Sequence, residues 1–540
     1  MSFVASNERY LPYKSVDIKS VNGLSYEYNN NAVIKIDIDP ETVPYLDPRS
    51  SALKFDLVLN GGLVPKVLRR DAFAAGIIDS CRILNLNGEV IEEITNYNVL
   101  AANLGHYEND RPEIKKKSLT EGAYDPNDIL TQPYFKNDGG GNDQDTTTYN
   151  TNTFLLPLRY SGVLSNRGKV LPVVALGGVS VEIFLSPEIK CMSFTRQVDK
   201  NLGCRNESAL PVVAPNQSRL DISKSTQDIN RTGVKPNGIG LNTSTFRVGQ
   251  QLELYSGGVS VNGWAIAADS QIATSEIQGA APDGRVRLST VGNLNVGATP
   301  AIDAVIVQRA GQAQTHTYTV SNVSFVCGVV SPPKAYVESV QRALASKEGF
   351  VFDIKSYQEY RDNVDAAITT ATVNIPLTQS RIYSIFCIPT TQENYTSSDL
   401  FDSSPVLSGS SFGLNQYQFS YGGKNHPVRR VDVGNAPAGQ DIRTTSTSVN
   451  NTEIVQQHYL YELEKALENC DVDVKNLKEL QYNFVIARAL SKYGETYDGI
   501  NRDFLLNLYW SAAHDNVLLH NFVGHLRRVH CSNSGVVVEV

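Results

Sequence analysis

The chain has 540 residues, a formal net charge of −8, 41% hydrophobic residues and 19% charged residues. That length exceeds one ordinary core and calls for two or three domains. The acidic balance argues against a surface that coats nucleic acid by neutralising phosphate, and no apolar run approaches the roughly 18 residues a membrane-spanning helix needs.

Period-two alternation dominates and predicts half-buried strands. Ile34, Ile36 and Ile38 alternate with Lys35, Asp37 and Asp39. Leu53, Phe55, Leu57 and Leu59 alternate with Lys54, Asp56 and Asn60. Residues 104–153 read as a polar excursion carrying Gly139-Gly140-Gly141. Val179, Val181, Ile183 and Leu185 give the next strand. Residues 200–245, rich in Asn, Ser, Thr and Pro, read as a loop. Residues 246–315, with Val286 and Leu288 between Arg285 and Arg287, read as an inserted β-subdomain.

Tyr318 and Val320 hold one register, and Val323, Phe325, Cys327 and Val329 hold the other; the slip at Ser321-Asn322 predicts a β-bulge. Helices are few and expected mainly in the second half. Pro332-Pro333 precedes the stripe Tyr336, Val337, Val340 and Leu344, and Gly349 follows it. Leu460, Leu463 and Leu467 mark 453–470, and Leu477, Leu480 and Phe484 mark 476–491. At the end, Ser532-Asn533-Ser534-Gly535 supplies a turn, and Val536, Val538 and Val540 predict a closing core strand.

Candidate chemistry is thin. The seven cysteines (Cys81, Cys191, Cys204, Cys327, Cys387, Cys470, Cys531) are odd in number and include no CxxC pair. Together with an N-terminus that lacks an apolar signal, this predicts free thiols in an unsecreted protein. Gly409-Ser410-Ser411-Phe412-Gly413 fits the GxSxG pattern, but a nucleophile elbow needs a helix after it, and the alternation of Tyr417 and Phe419 predicts a strand. His514, His520, His525 and His530 are spaced five and six apart, which is wrong for a helical metal pair. Gly139-Gly140-Gly141 lacks the Lys-Ser/Thr of a phosphate loop. Asp37 and Asp39 sit on the solvent face of a strand. The basic spots at Lys115 to Lys117, Arg429-Arg430 and Arg527-Arg528 read as solvated loops or strand ends. No catalytic, cofactor-binding or metal-ligating residue is predicted, and the expectation is a protein that is not an enzyme.

One stretch is specific. Residues 154–185, FLLPLRYSGVLSNRGKVLPVVALGGVSVEIFL, resemble the signature of double jelly-roll major capsid proteins. Its marks are Leu156-Pro157-Leu158, then Leu171-Pro172-Val173, then the alternation from Val179 to Leu185. YTVSNVSFVCGVVSPPKAYVESV at 318–340 is similar to the last strand of a first jelly roll and a linker helix. VNIPLTQSRIYSIFCIPT at 373–390 and LNQYQFSYGGKNHPVRRV at 414–431 resemble strands of a second, which NFVGHLRRVHCSNSGVVVEV closes. Arg159-Tyr160-Ser161-Gly162 replaces the aromatic-rich loop of large nucleocytoplasmic viruses, so the chain looks closer to virophage, polinton and polinton-like virus coats.

The resemblance implies an all-β fold of two tandem jelly rolls: an arm at 1–25, a first roll at 26–331 carrying the insert 200–315 as an outer tower, and a second at 332–540. It implies a homotrimer forming pseudo-hexagonal capsomers of an icosahedral dsDNA virus. The implied partners are the chain itself, neighbouring capsomers, and penton and minor or cement proteins. No cofactor, sequence-specific nucleic acid or transmembrane segment is implied. The implied location is the virion, after synthesis in the host cytoplasm or nucleus. A trimeric β-sandwich adhesin that binds glycans is the main rival. A jelly-roll glycoside hydrolase, with two carboxylates facing across a cleft, is the second.

Overall fold

The computed structural model describes residues 13–60, 66–68, 72–109, 111–123, 152–165, 169–194, five strands within 218–307, then 317–391, 407–433, 457–472, 474–475, 484–491, 496–500, 502–510, 514, 516–532 and 535–539. In chain order the first half contributes β1 (Tyr13–Lys19), β2 (Val33–Ile38), β3 (Tyr45–Asn60), β4 (Ile78–Leu84) and β5 (Val90–Ile94). Helices α1 (Tyr97–Glu108) and α2 (Arg111–Glu121) follow, then β6 (Asn152–Leu156) and β7 (Val179–Leu185). An insertion holds β8 (Ser218–Asp221), β9 (Gln251–Ser256), β10 (Val259–Ile266), β11 (Arg285–Thr290) and β12 (Ala304–Val307), and β13 (Thr317–Val330) returns to the main body. Helix α3 (Lys334–Ala345) leads to the second half.

That half contains β14 (Phe350–Val364), β15 (Thr370–Asn374), β16 (Ile382–Thr391), β17 (Leu414–Tyr421), β18 (Lys424–Asp432), α4 (Gln457–Asn469), β19 (Ile486–Ala489), β20 (Phe504–Trp510), β21 (Val517–Ser532) and β22 (Gly535–Glu539).

The strand orders decide the architecture. The first half forms sheets β1-β13-β3-β6 and β2-β7-β4-β5, and the second forms β14-β21-β16-β19 and β15-β20-β17-β18. If the eight main strands of each half are numbered 1 to 8, both halves read 1-8-3-6 and 2-7-4-5. Two four-stranded antiparallel sheets with that double Greek-key order are a jelly roll. The chain is therefore two tandem jelly rolls, and the insertion, lying between strands 7 and 8 of the first roll, adds a separate sheet ordered β8-β11-β10-β9-β12.

Alternation places the cores where the sequence puts them. Ile34, Ile36 and Ile38 are buried, as are Leu53, Phe55, Leu57 and Leu59 opposite them. The bulge falls at the expected place. The β13–β3 register shifts between Ser321 and Ser324, and Asn322 takes a φ of 51°, a left-handed conformation that Asn tolerates.

Four expectations are corrected. Residues 13–19, read as an arm, pair along β13 as the first strand of the roll. The polar excursion at 104–153 begins with helix: α1 and α2 cover 97–121 except for a short break, and the triple glycine lies outside the described residues. The helix expected at 476–491 is instead strand β19 over Ile486–Ala489, with Phe484 buried just before it. Leu477 and Leu480 lie outside the described residues. Phe484 to Ala487 form a continuous buried apolar run, and such a run fits helix and strand alike. Finally, the inserted sheet starts before 246, because β8 pairs with β11.

The closing strand exists. β22 forms a hairpin with β21, in which Val536 is buried, Val538 packs against the core and Val537 faces solvent; Val540 lies outside the described residues. Cys81, Cys191, Cys327, Cys387, Cys470 and Cys531 are free thiols, and Cys204 lies outside the described residues.

Candidate functional site: the seam between the rolls

An outer strand leaves backbone groups that another chain can pair with. β5 is the outer strand of its sheet, and the second roll covers it with β14. β21 supplies the other half of the cover. Leu519 to His525 are all buried in sequence, because one face of β21 belongs to its own core and the other meets the first roll. The alternation expected of a half-buried strand vanishes there for that reason.

Helix α1 packs beside β4. Of its residues only Gly105 and His106 are not buried. Asn103 donates to the carbonyl of Leu407 at 2.8 Å and accepts from the backbone N–H of Gly409 at 2.9 Å. Asn96, which precedes the helix at a φ of 44°, makes no side-chain cap. Its amide instead reaches across the seam to Glu359 on β14, at 2.7 Å to one carboxylate oxygen and 2.9 Å to the other.

Glu359 is the polar centre of the seam. Besides Asn96 it accepts from the Thr95 hydroxyl at 2.8 Å, from Arg361 Nε at 3.0 Å and from His520 Nδ1 at 2.6 Å. Burial pushes its carboxyl up, but the hydrogen bond and charge of His520, and then Arg361, outweigh burial and hold it at about 2. Burial lowers His520 in turn, against the hydrogen bond and charge of Glu359.

A second group lies beside it. Arg527 Nη1 donates to the carbonyl of Ile91 on β5 at 3.2 Å, and Nε donates to His525 Nε2 at 3.1 Å. With Nε2 accepting, the His525 proton sits on Nδ1, which faces the Val523 carbonyl at 3.2 Å. Burial, and then the Arg527 charge, push His525 down to about 4. Glu92, also buried, accepts from the Ser161 hydroxyl at 2.6 Å and the Gly162 N–H at 2.8 Å. Burial raises its carboxyl, against those donors and the Arg527 charge. At Gly162 the two backbones touch: a Cβ there would stand 2.0 Å from the carbonyl oxygen of Lys355.

The residues singled out from sequence fall in unexpected places. Arg527 and Lys117, read as solvated, are buried; strand alternation turns Arg527 inward and leaves Arg528 outside on Asp353. Ser411 is buried in a loop that runs into β17, with no helix after it. His514, His520 and His525 are buried and His530 is half-buried beside Glu539. Among the described residues no group of three or more His, Cys, Asp or Glu could hold a metal, and no helix is long and apolar enough to cross a membrane. Sequence reading missed Glu92, Asn96, Asn103 and Glu359. Asn96 and Asn103 bracket an apolar stretch, and that was the one available signal.

No family model matches the chain, and no curated protein matches it. Solved structures do. The chain is similar to PBCV-1 VP54 as fitted into a reconstruction of the virophage Sputnik, at 8% identity over 98% of both chains with a TM-score of 0.46. The Faustovirus major capsid protein matches at 8% identity over 97% of this chain and 91% of that one, with a TM-score of 0.46. The mavirus major capsid protein matches at 9% identity over 97% and 90%, with a TM-score of 0.33. These neighbours are viral major capsid proteins. At identities this low the strand order carries the fold.

Proposed function

We propose that the chain is the major capsid protein of an icosahedral dsDNA virus of the virophage or polinton-like kind, acting as a building block and not as an enzyme. The supporting observation is the seam. The outer strand and helix of one roll dock on the sheet of the other that contains its first and last strands. Among the described residues, the matching surfaces of the two rolls are exposed. β18, the counterpart of β5, is mostly exposed, with Val428 at 87%. α4, the counterpart of α1, exposes Tyr461. β1, the counterpart of β14, exposes Lys14, Ser15, Asp17 and Lys19.

Repeating the intrachain contact between chains is a heterologous association, which forms a ring when its rotation closes. With three copies the ring has six rolls and a hexagonal outline, the outline that tiles a shell. In this reading the roll boundary lies near 331, and the sheet within 200–315 forms an outer tower. Neighbouring capsomers and penton and minor or cement proteins are the partners, sequence-specific nucleic acid is not among them, and the virion is the site of action. Negative-stain imaging of the purified chain tests this. Hexagonal particles that assemble into sheets or shells are expected, and a uniform field of single two-lobed particles contradicts the reading.

A further inference from the structure

A cavity of about 360 Å³ opens where α2, the start of β3 and the loop after β6 meet the second roll. That volume lies in the small-molecule range, roughly 300–1,000 Å³. Its charged lining is Arg49, Lys117, Arg159 and Lys475 against Glu108 and Glu113. Four cations against two carboxylates is a local excess of positive charge in a chain whose net charge is −8.

The carboxylates are already engaged. Glu113 holds Lys116 at 2.9 Å and Lys475 at 3.2 Å, and those two hydrogen bonds bring its carboxyl down to about 2. Arg159 bonds Glu121 behind the cavity wall. Lys117 donates to a neutral group, Asn109 Oδ1, at 2.5 Å. Burial, and then the charge of Arg159, push the Lys117 ammonium down. Buried Lys117 and half-buried Arg159 thus stand at the cavity wall while exposed Arg49 stands at the mouth.

We propose that this cavity binds a phosphate-type oxyanion. A tetrahedral dianion accepts charge-assisted hydrogen bonds from several directions, and Lys117, Arg159, Lys475 and Arg49 all line the cavity that would hold it. Arg49 supplies the planar fork that suits a phosphate. The ligand is the free anion or a small phosphomonoester, since both present the same oxygens.

Calorimetric titration of the full chain tests this, with inorganic phosphate and with glycerol 3-phosphate, in chloride buffer of matched ionic strength. Saturable binding of inorganic phosphate, the ester or both, at one site per chain, is expected, and tighter binding of one identifies the natural form. Arg49→Ala should weaken binding about tenfold, the loss of one charged hydrogen bond, with the phosphate-free melting temperature unchanged. Arg49→Lys should recover part of it. Absence of saturable binding by the wild-type chain overturns the proposal, as does Arg49→Ala binding with wild-type affinity.

Discussion

Arg527 and Ile91, on different rolls, are joined by a 3.2 Å hydrogen bond from guanidinium to backbone carbonyl. The next residue, Arg528, pairs with Asp353 in a half-exposed bidentate contact. The two arginines should therefore behave differently. Arg527→Ala strips a partner from the Ile91 carbonyl and from His525, and should cost on the order of 2–4 kcal/mol. Arg528→Ala should cost about 1 kcal/mol or less. Urea denaturation midpoints of the two variants check the contrast.

The seam should weaken in mild acid. His525 is held neutral with a folded value of about 4 against 6.5 for the free group. The unfolded chain thus binds the extra proton first as pH falls. Stability is fully present above pH 6.5 and is lost between there and about 4, at about 1.4 kcal/mol per pH unit. Glu359, held at about 2 against 4.5, adds a second loss below pH 4.5. Melting temperature against pH should be flat from about 6.5 to 8 and fall below about 6.5. His525→Gln should flatten the upper part of that fall, and an unchanged slope would count against the assignment.

Much of the fold was legible because half-buried strands write their pattern plainly. The Ile34–Ile38 alternation and the slip at Asn322 gave strand, face and bulge. The seam was not legible, and for a physical reason. A stripe appears only where one side of an element meets water, and α1 and the middle of β21 meet protein on every side. Arg527 shows the limit well: nothing local separates it from Arg528, and its burial comes from β5, more than 400 residues away in sequence. The strand at Ile486–Ala489 was misread because a buried apolar run has no period.

The inserted sheet should be removable as a unit. β8 pairs with β11, so a cut at 246 leaves half a ladder behind. Replacing 200–315 with a short Gly/Ser linker should leave both rolls folded, because loop length alters closure cost by only about 0.6 kcal/mol per doubling. Circular dichroism and melting of the deletion variant check this; a molten product contradicts it.

Truncation after Gly535 should be costly. It removes buried Val536, half-buried Val538 and the 3.0 Å bond from the Val536 N–H to Glu89 of the first roll. One buried valine contributes roughly 1.5–3 kcal/mol, and the vacated side of β21 becomes an open edge. A lower melting temperature and increased light scattering are expected.

In the proposed capsomer the contact between the rolls repeats between chains. Native mass spectrometry of the full chain at micromolar concentration tests it most directly, with Val428→Glu on β18 as the paired variant. The wild-type chain should appear as a trimer. The variant should keep its fold by circular dichroism, because Val428 is 87% exposed within one chain, yet shift toward monomer and melt lower as the lost interface no longer stabilises it. A wild-type chain found only as monomer, or a Val428→Glu chain that trimerises as fully as wild type, contradicts the account.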